Sequence, residues 1–122
     1  MILADASVWI DHFRHGDPQL IRLLGERHIL VHPFVIGEIA LGTPNHRTLT
    51  LRMLARLPAA TPARHAEVMS MVERDRLYGR GVGYVDAHLL AATRLTPNAM
   101  IWTRDRRLRE AAFALGLAAD LA

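Results

Sequence analysis

Apolar residues in this chain fall into two patterns. Short unbroken runs occur at Ile2-Leu3-Ala4, Ile29-Leu30-Val31 and Ala99-Met100-Ile101-Trp102. They are too short for helices and lack polar alternation, as strands buried on both faces of a parallel sheet do. Leu117-Ala118-Ala119, after Gly116, is a weaker fourth candidate. Between the runs, apolar positions recur at helical spacing, predicting helices over about 7–13, 18–26, 33–41, 44–57, 62–78, 86–95 and 105–115. Proline favours the first position of a helix, just after a capping residue. Asp17-Pro18, Thr43-Pro44 and Thr61-Pro62 therefore read as starts, and His32-Pro33 as a fourth without a good cap. Strands alternating with helices predict one α/β domain over residues 1–122, a three-layer α/β/α sandwich around a parallel sheet of four to five short strands.

Composition narrows the chemistry. The chain has 122 residues, 51% of them hydrophobic, enough for a core that buries roughly two-thirds of the unfolded surface. All 15 basic residues are arginine, and there is no cysteine. The missing lysine excludes a P-loop phosphate clamp and Schiff-base chemistry. The missing cysteine excludes a disulfide scaffold, a thiol nucleophile and a thiolate zinc site. Asp5 and Asp11 interrupt the opening segment, so it does not read as a signal peptide. The longest apolar stretch, 29–41, is broken by His32, Pro33 and Glu38 and is too short to span a bilayer. A soluble cytoplasmic protein is expected.

Four of the twelve carboxylates stand out by position. Asp5 follows the first strand and Asp105 the third. Asp86 opens a helix, and Glu38 lies in the apolar segment Phe34-Val35-Ile36-Gly37-Glu38-Ile39-Ala40-Leu41. Asp86 and Asp105 sit where an N-cap belongs, Asp5 could support the turn into the next helix, and position alone leaves those structural readings open. Glu38 is expected to be buried, where an unpaired carboxylate costs several kcal/mol and needs compensation. In an open parallel sheet, residues beyond the carboxyl ends of the strands converge on one crevice. Carboxylates gathered there raise one another's pKa unless a cation intervenes. Oxygen ligands without cysteine point to Mg²⁺ or Mn²⁺.

The segments carrying these acids resemble the motifs of a known family. Asp5-Ala6-Ser7-Val8-Trp9-Ile10 resembles the first motif of PIN-domain nucleases, specifically VapC-type toxins of type II toxin–antitoxin modules. Gly37-Glu38-Ile39 matches the second, and the segment from Gly81 to Ala92, with Asp86 at its centre, is similar to the third. Trp102-Thr103-Arg104-Asp105-Arg106-Arg107-Leu108 resembles the fourth. The resemblance implies a PIN-like fold and an endoribonuclease dependent on Mg²⁺ or Mn²⁺. It also implies inhibition by a cognate VapB-like antitoxin, homodimerisation, and contact with DNA only through the antitoxin. It makes Asp5 and Asp86 the principal metal ligands, with Glu38 and Asp105 completing the catalytic cluster. Ser7 and Thr103 become hydrogen-bonding partners of the ligands.

Other features of the chain admit simpler readings. Arg104, Arg106, Arg107 and Arg109 surround Asp105 and read either as a solvated helix face or as contacts to RNA phosphate or an acidic antitoxin segment. The glycines at 79, 81 and 83 follow a helix and read as turn chemistry. His12 and His15 have helical metal-ligand spacing without a third ligand and read as surface residues. Trp9 and Trp102 read as core. A phosphatase using Asp5 as nucleophile is disfavoured, because Ser7 stands where its second aspartate belongs and lysine is absent. A catalytically silent PIN-like module, binding RNA or a protein partner, is the alternative; retention of all four acids speaks against it.

Overall fold

The computed structural model of the chain describes residues 1–122. Its elements are β1 (Ile2–Ala4), α1 (Ala6–His15), α2 (Pro18–Gly25), β2 (Ile29–Leu30), α3 (Pro33–Ala40), α4 (Arg47–Arg56), α5 (His65–Arg74), α6 (Tyr84–Leu95), β3 (Met100–Trp102) and α7 (Arg106–Ala114). The strands are all parallel in the order β2-β1-β3, with Ile2 opposite both Ile29 and Met100. The α/β class and parallel sheet are as expected, but the sheet has three strands rather than four to five. The fourth candidate run contributes a single parallel bridge, Ala118 to Ile101. Gly116 at φ +72° turns the chain just before it, and the pairing is limited to the Ile101 amide on the Leu117 carbonyl and the Ala119 amide on the Ile101 carbonyl, both at 2.8 Å. At the other edge Val31 makes one bridge to Ala59.

Local chemistry explains which proline starts hold. Asp17 accepts the Leu20 amide at 3.0 Å and caps α2. His32 caps α3 through Nδ1, which accepts the Phe34 amide at 3.0 Å, so an imidazole supplies the cap that the sequence seemed to lack. The other two starts shift downstream. His46 adopts the left-handed conformation at φ +53°, which delays α4 to Arg47. Beyond Leu57 the chain is extended: Val31 donates to the Pro58 carbonyl at 2.9 Å and Ala60 donates back to Val31 at 2.8 Å. The Thr61 amide is then held by Thr96 Oγ1 at 2.9 Å. These tertiary bonds override the local preference for a helix at Pro62.

The core is one cluster of 29 buried residues, with Trp9 and Trp102 among its largest fully buried side chains. α2 packs on β2, α6 on β3 and α5, and α1 on β1 and α3. No helix is long and apolar enough to cross a membrane. Because the strands are parallel, Asp5, His32 and Thr103 all leave the sheet at its carboxyl edge.

Candidate active site

Asp5 is the most deeply set of the four acids, at 6% exposure. It caps α1: Oδ1 accepts the Ser7 amide at 3.0 Å and also the Ser7 hydroxyl. Oδ2 accepts the Thr103 hydroxyl at 2.6 Å. Each hydroxyl is oriented in turn by the loop after β3. The Arg104 amide donates to Ser7 Oγ and the Asp105 amide to Thr103 Oγ1, both at 3.0 Å. With those lone pairs taken by amides, both hydroxyl protons are directed to the carboxylate. Burial raises the Asp5 pKa, and the hydrogen bonds from Ser7 and Thr103 oppose that rise. Thr103→Val keeps the shape but removes a donor and an acceptor. It is expected to cost about 1–2 kcal/mol of unfolding free energy, measured in urea, with Thr103→Ser recovering most of it.

The other three acids reach the same place from different helices. Asp5, Glu38, Asp86 and Asp105 line one cleft of about 510 Å³, together with Ser7, Ile10, Tyr84 and Leu89. Glu38 corrects an expectation: it is exposed, not buried. Val35 and Ile39 take the inward face of α3, which turns Glu38 out to the cleft. Its pKa is raised by partial burial and by the charge of Asp5. Asp86 does not cap its helix, because α6 starts at Tyr84 after Gly83 and leaves Asp86 inside the first turn. Its pKa is raised to about 6, first by burial and then by Asp5, Asp105 and Glu38. Asp105 does cap α7, its Oδ1 accepting the Leu108 amide at 3.0 Å, and its side chain is exposed.

Charge compensation is missing from this cleft. Asp11, Asp17, Glu26, Glu67, Asp75 and Glu110 all have arginine partners within 4 Å, whereas none of the four cleft acids has a cationic partner. The oxygen-only donor set suits a hard divalent cation. As the side chains stand, no three of these groups converge into a closed metal cage. The fit is that of an open cleft, with Asp5 and Asp86 set into it and Glu38 and Asp105 exposed at its wall. A larger groove of about 650 Å³ adjoins the cleft and shares Ile10 and Glu38 with it, but it contains only that one acid.

The arginines around Asp105 separate. Arg104 turns away from the cleft and binds Asp11 at 2.9 Å, Asp17, and the Ala122 carbonyl at 3.2 Å. It therefore acts as a tether between α1, α2 and the loop after β3. Burial alone would raise the Asp17 carboxyl, but the Arg104 hydrogen bond and the Leu20 amide hold it below the ordinary value. Arg106 pairs loosely with Glu110 at 3.7 Å. Arg107 lies across Gly81, where a Cβ would meet its Cδ at 2.6 Å. Arg109 is exposed on α7. The sequence reading missed Tyr84 as a wall of the cleft; an aromatic in the first turn of an acid-bearing helix was the available signal.

No protein-family model matches the chain. It is 47% identical over 118 residues to proteins named Ribonuclease VapC32 from two strains of Mycobacterium tuberculosis, CDC 1551 / Oshkosh and H37Rv. The match covers 97% of this chain and 95% of the relative. Identity at this level along nearly the whole of both chains, with the acid-lined cleft inside the matched length, establishes the relationship: the chain belongs to the VapC ribonuclease family.

Proposed function

We propose that this chain is a PIN-like, metal-dependent endoribonuclease acting as the toxin of a VapBC-like module. The observation that carries the reading is the set of four carboxylates on one cleft without a single cationic partner. Asp5 and Asp86 would hold Mg²⁺ or Mn²⁺, with Glu38 and Asp105 completing the set. The chemistry such an ion would supply there is polarisation of the phosphodiester and activation of a water for in-line attack. The protein's own contribution is positional. Ser7 and Thr103 fix both oxygens of Asp5, and Glu38, exposed on the cleft wall, can orient the attacking water through a hydrogen bond. Removing the four acids from twelve leaves eight against fifteen arginines, so the remaining surface attracts a polyanion more strongly than the formal +3 suggests.

A cognate VapB-like antitoxin is the partner this reading requires, with homodimerisation and DNA contact only through the antitoxin as its further expectations. Purified protein should cleave RNA in Mg²⁺ or Mn²⁺ and stop when EDTA is added. Cleavage that persists in excess chelator overturns the metal mechanism. Complete inactivity with either ion overturns the enzyme and favours the silent binding module.

A further inference from the structure

Beside the acids lies a run of rings that the proposed chemistry does not use. From His32 the ring centroids step 5.1 Å to Phe34, 4.9 Å to His88, 4.6 Å to Tyr84 and 5.6 Å to His65. Phe34 and Tyr84 both stand steeply to the His88 ring, at 70° and 85°. His32 and His88 are buried, while Phe34 is 39% and Tyr84 49% exposed. The Tyr84 hydroxyl is joined to His65 Nδ1 at 2.6 Å. Two aromatic side chains are thus held in fixed orientations with much of their surface in water. Both are continuous with the acidic cleft. Tyr84 lines it directly. Phe34 precedes Glu38 by four residues and shares its face of α3.

We propose that Phe34 and Tyr84, braced on the buried His88, form a subsite that stacks an unpaired nucleobase of the RNA, next to the phosphodiester in the cleft. The proposal rests on the ribonuclease reading and assigns to these rings the grip on a base that stands out of its duplex. An acidic cleft contributes little affinity for a phosphate backbone, so substrate must be gripped by neighbouring groups. Aromatic faces provide a grip that tolerates any base but needs that base out of its duplex. Arg107 supplies a cation nearby. It lies against Gly81, at the start of the loop that leads to Gly83 and Tyr84, and unlike Arg104 and Arg106 it has no carboxylate partner. A protein side chain could also cover exposed rings, but continuity with the acids favours the base.

Binding separates this subsite from catalysis. The probe is a fluorescein-labelled, 2′-O-methylated single strand of about 12 nucleotides, which resists cleavage, titrated in Mg²⁺ and followed by anisotropy. Tyr84→Ala is expected to weaken binding roughly 10-fold, and Phe34→Ala by a smaller factor. Tyr84→Phe keeps the ring and should stay within about twofold of wild type. The same strand annealed into a duplex should bind roughly 10-fold more weakly than the single strand. Circular dichroism checks that each variant is folded, and Tyr84→Leu and Phe34→Leu, which keep bulk but remove the ring and should weaken binding likewise, carry the comparison if the alanine variants are not. Equal affinities for wild type and folded alanine variants overturn the subsite and leave the patch to a protein partner. A Tyr84→Phe loss as large as that of Tyr84→Ala overturns stacking in favour of the hydroxyl. Absence of wild-type binding overturns the subsite whatever the cleavage assay gives. Failure of cleavage with these binding differences intact removes only the enzymatic reading.

Discussion

Asp86→Asn is expected to reduce RNA cleavage by about 10³-fold or more while making the metal-free chain more stable at neutral pH. The loss follows from the proposed role of Asp86: the substitution would remove a charged oxygen ligand from a reaction in which the ion would supply several kcal/mol. The gain follows from the local field. An aspartate normally titrates at 3.8, but Asp86 titrates at about 6 because it is partly buried among Asp5, Asp105 and Glu38. The folded chain therefore holds this proton more tightly than the unfolded chain, and stability falls as pH rises from about 4 to about 6. Above that range the full penalty is present, about 1–2 kcal/mol once solvent screening is allowed for. Asparagine cannot ionise. In EDTA at pH 7 the variant should exceed wild type by that amount in urea unfolding, and its advantage should vanish below about pH 4. Mg²⁺ or Mn²⁺ should raise the wild-type Tm and leave the variant nearly unchanged. Equal stability at pH 7 would sink the electrostatic account, and surviving cleavage would remove Asp86 from the site.

Arg104→Ala is expected to cost about 2–4 kcal/mol. Its guanidinium joins Asp11 on α1 to Asp17 at the start of α2 and sits 5.5 Å from the centre of the Trp102 ring. Asp17 is 7% exposed, so removing the arginine strands a nearly buried negative charge. Arg104→Lys should recover less than half of the loss, because a single ammonium cannot match two carboxylates and a carbonyl with the geometry of a planar fork. Urea unfolding of the three proteins decides it. A loss under about 0.5 kcal/mol for the alanine variant reduces both pairs to ordinary surface contacts.

The parts of this structure that are legible in the sequence are those fixed by near neighbours. Ile2–Ala4 and the run ending at Trp102 announce strands, and the acids just beyond them fall at the sheet's carboxyl edge because both strands run the same way. Glu38 is identified for the wrong reason. Apolar neighbours suggest burial, but helical geometry sends Val35 and Ile39 inward and Glu38 outward. Asp86 looks like a cap until Gly83 is seen to start the helix. The helices after Pro44 and Pro62 begin late because of His46 and of the bonds from Val31 and Thr96, and the last two belong to distant segments. Arg104 is the clearest case. Within its own segment it is one of four neighbouring arginines, and nothing local indicates that its partners are Asp11 and Asp17.

The bonds that finish the cleft span almost the full chain. Thr103 reaches Asp5 across 98 positions, and the Arg104 amide reaches Ser7 across 97. Contacts so distant in sequence close slowly and cannot form before their later member exists. A nascent chain that has not yet reached Met100 already carries Asp5, Glu38 and Asp86. It lacks the strand that completes the sheet and the threonine hydroxyl that holds one oxygen of Asp5. Closure of the cleft around Asp5 therefore waits for the segment from Met100 to Asp105, and a chain truncated before that segment lacks it.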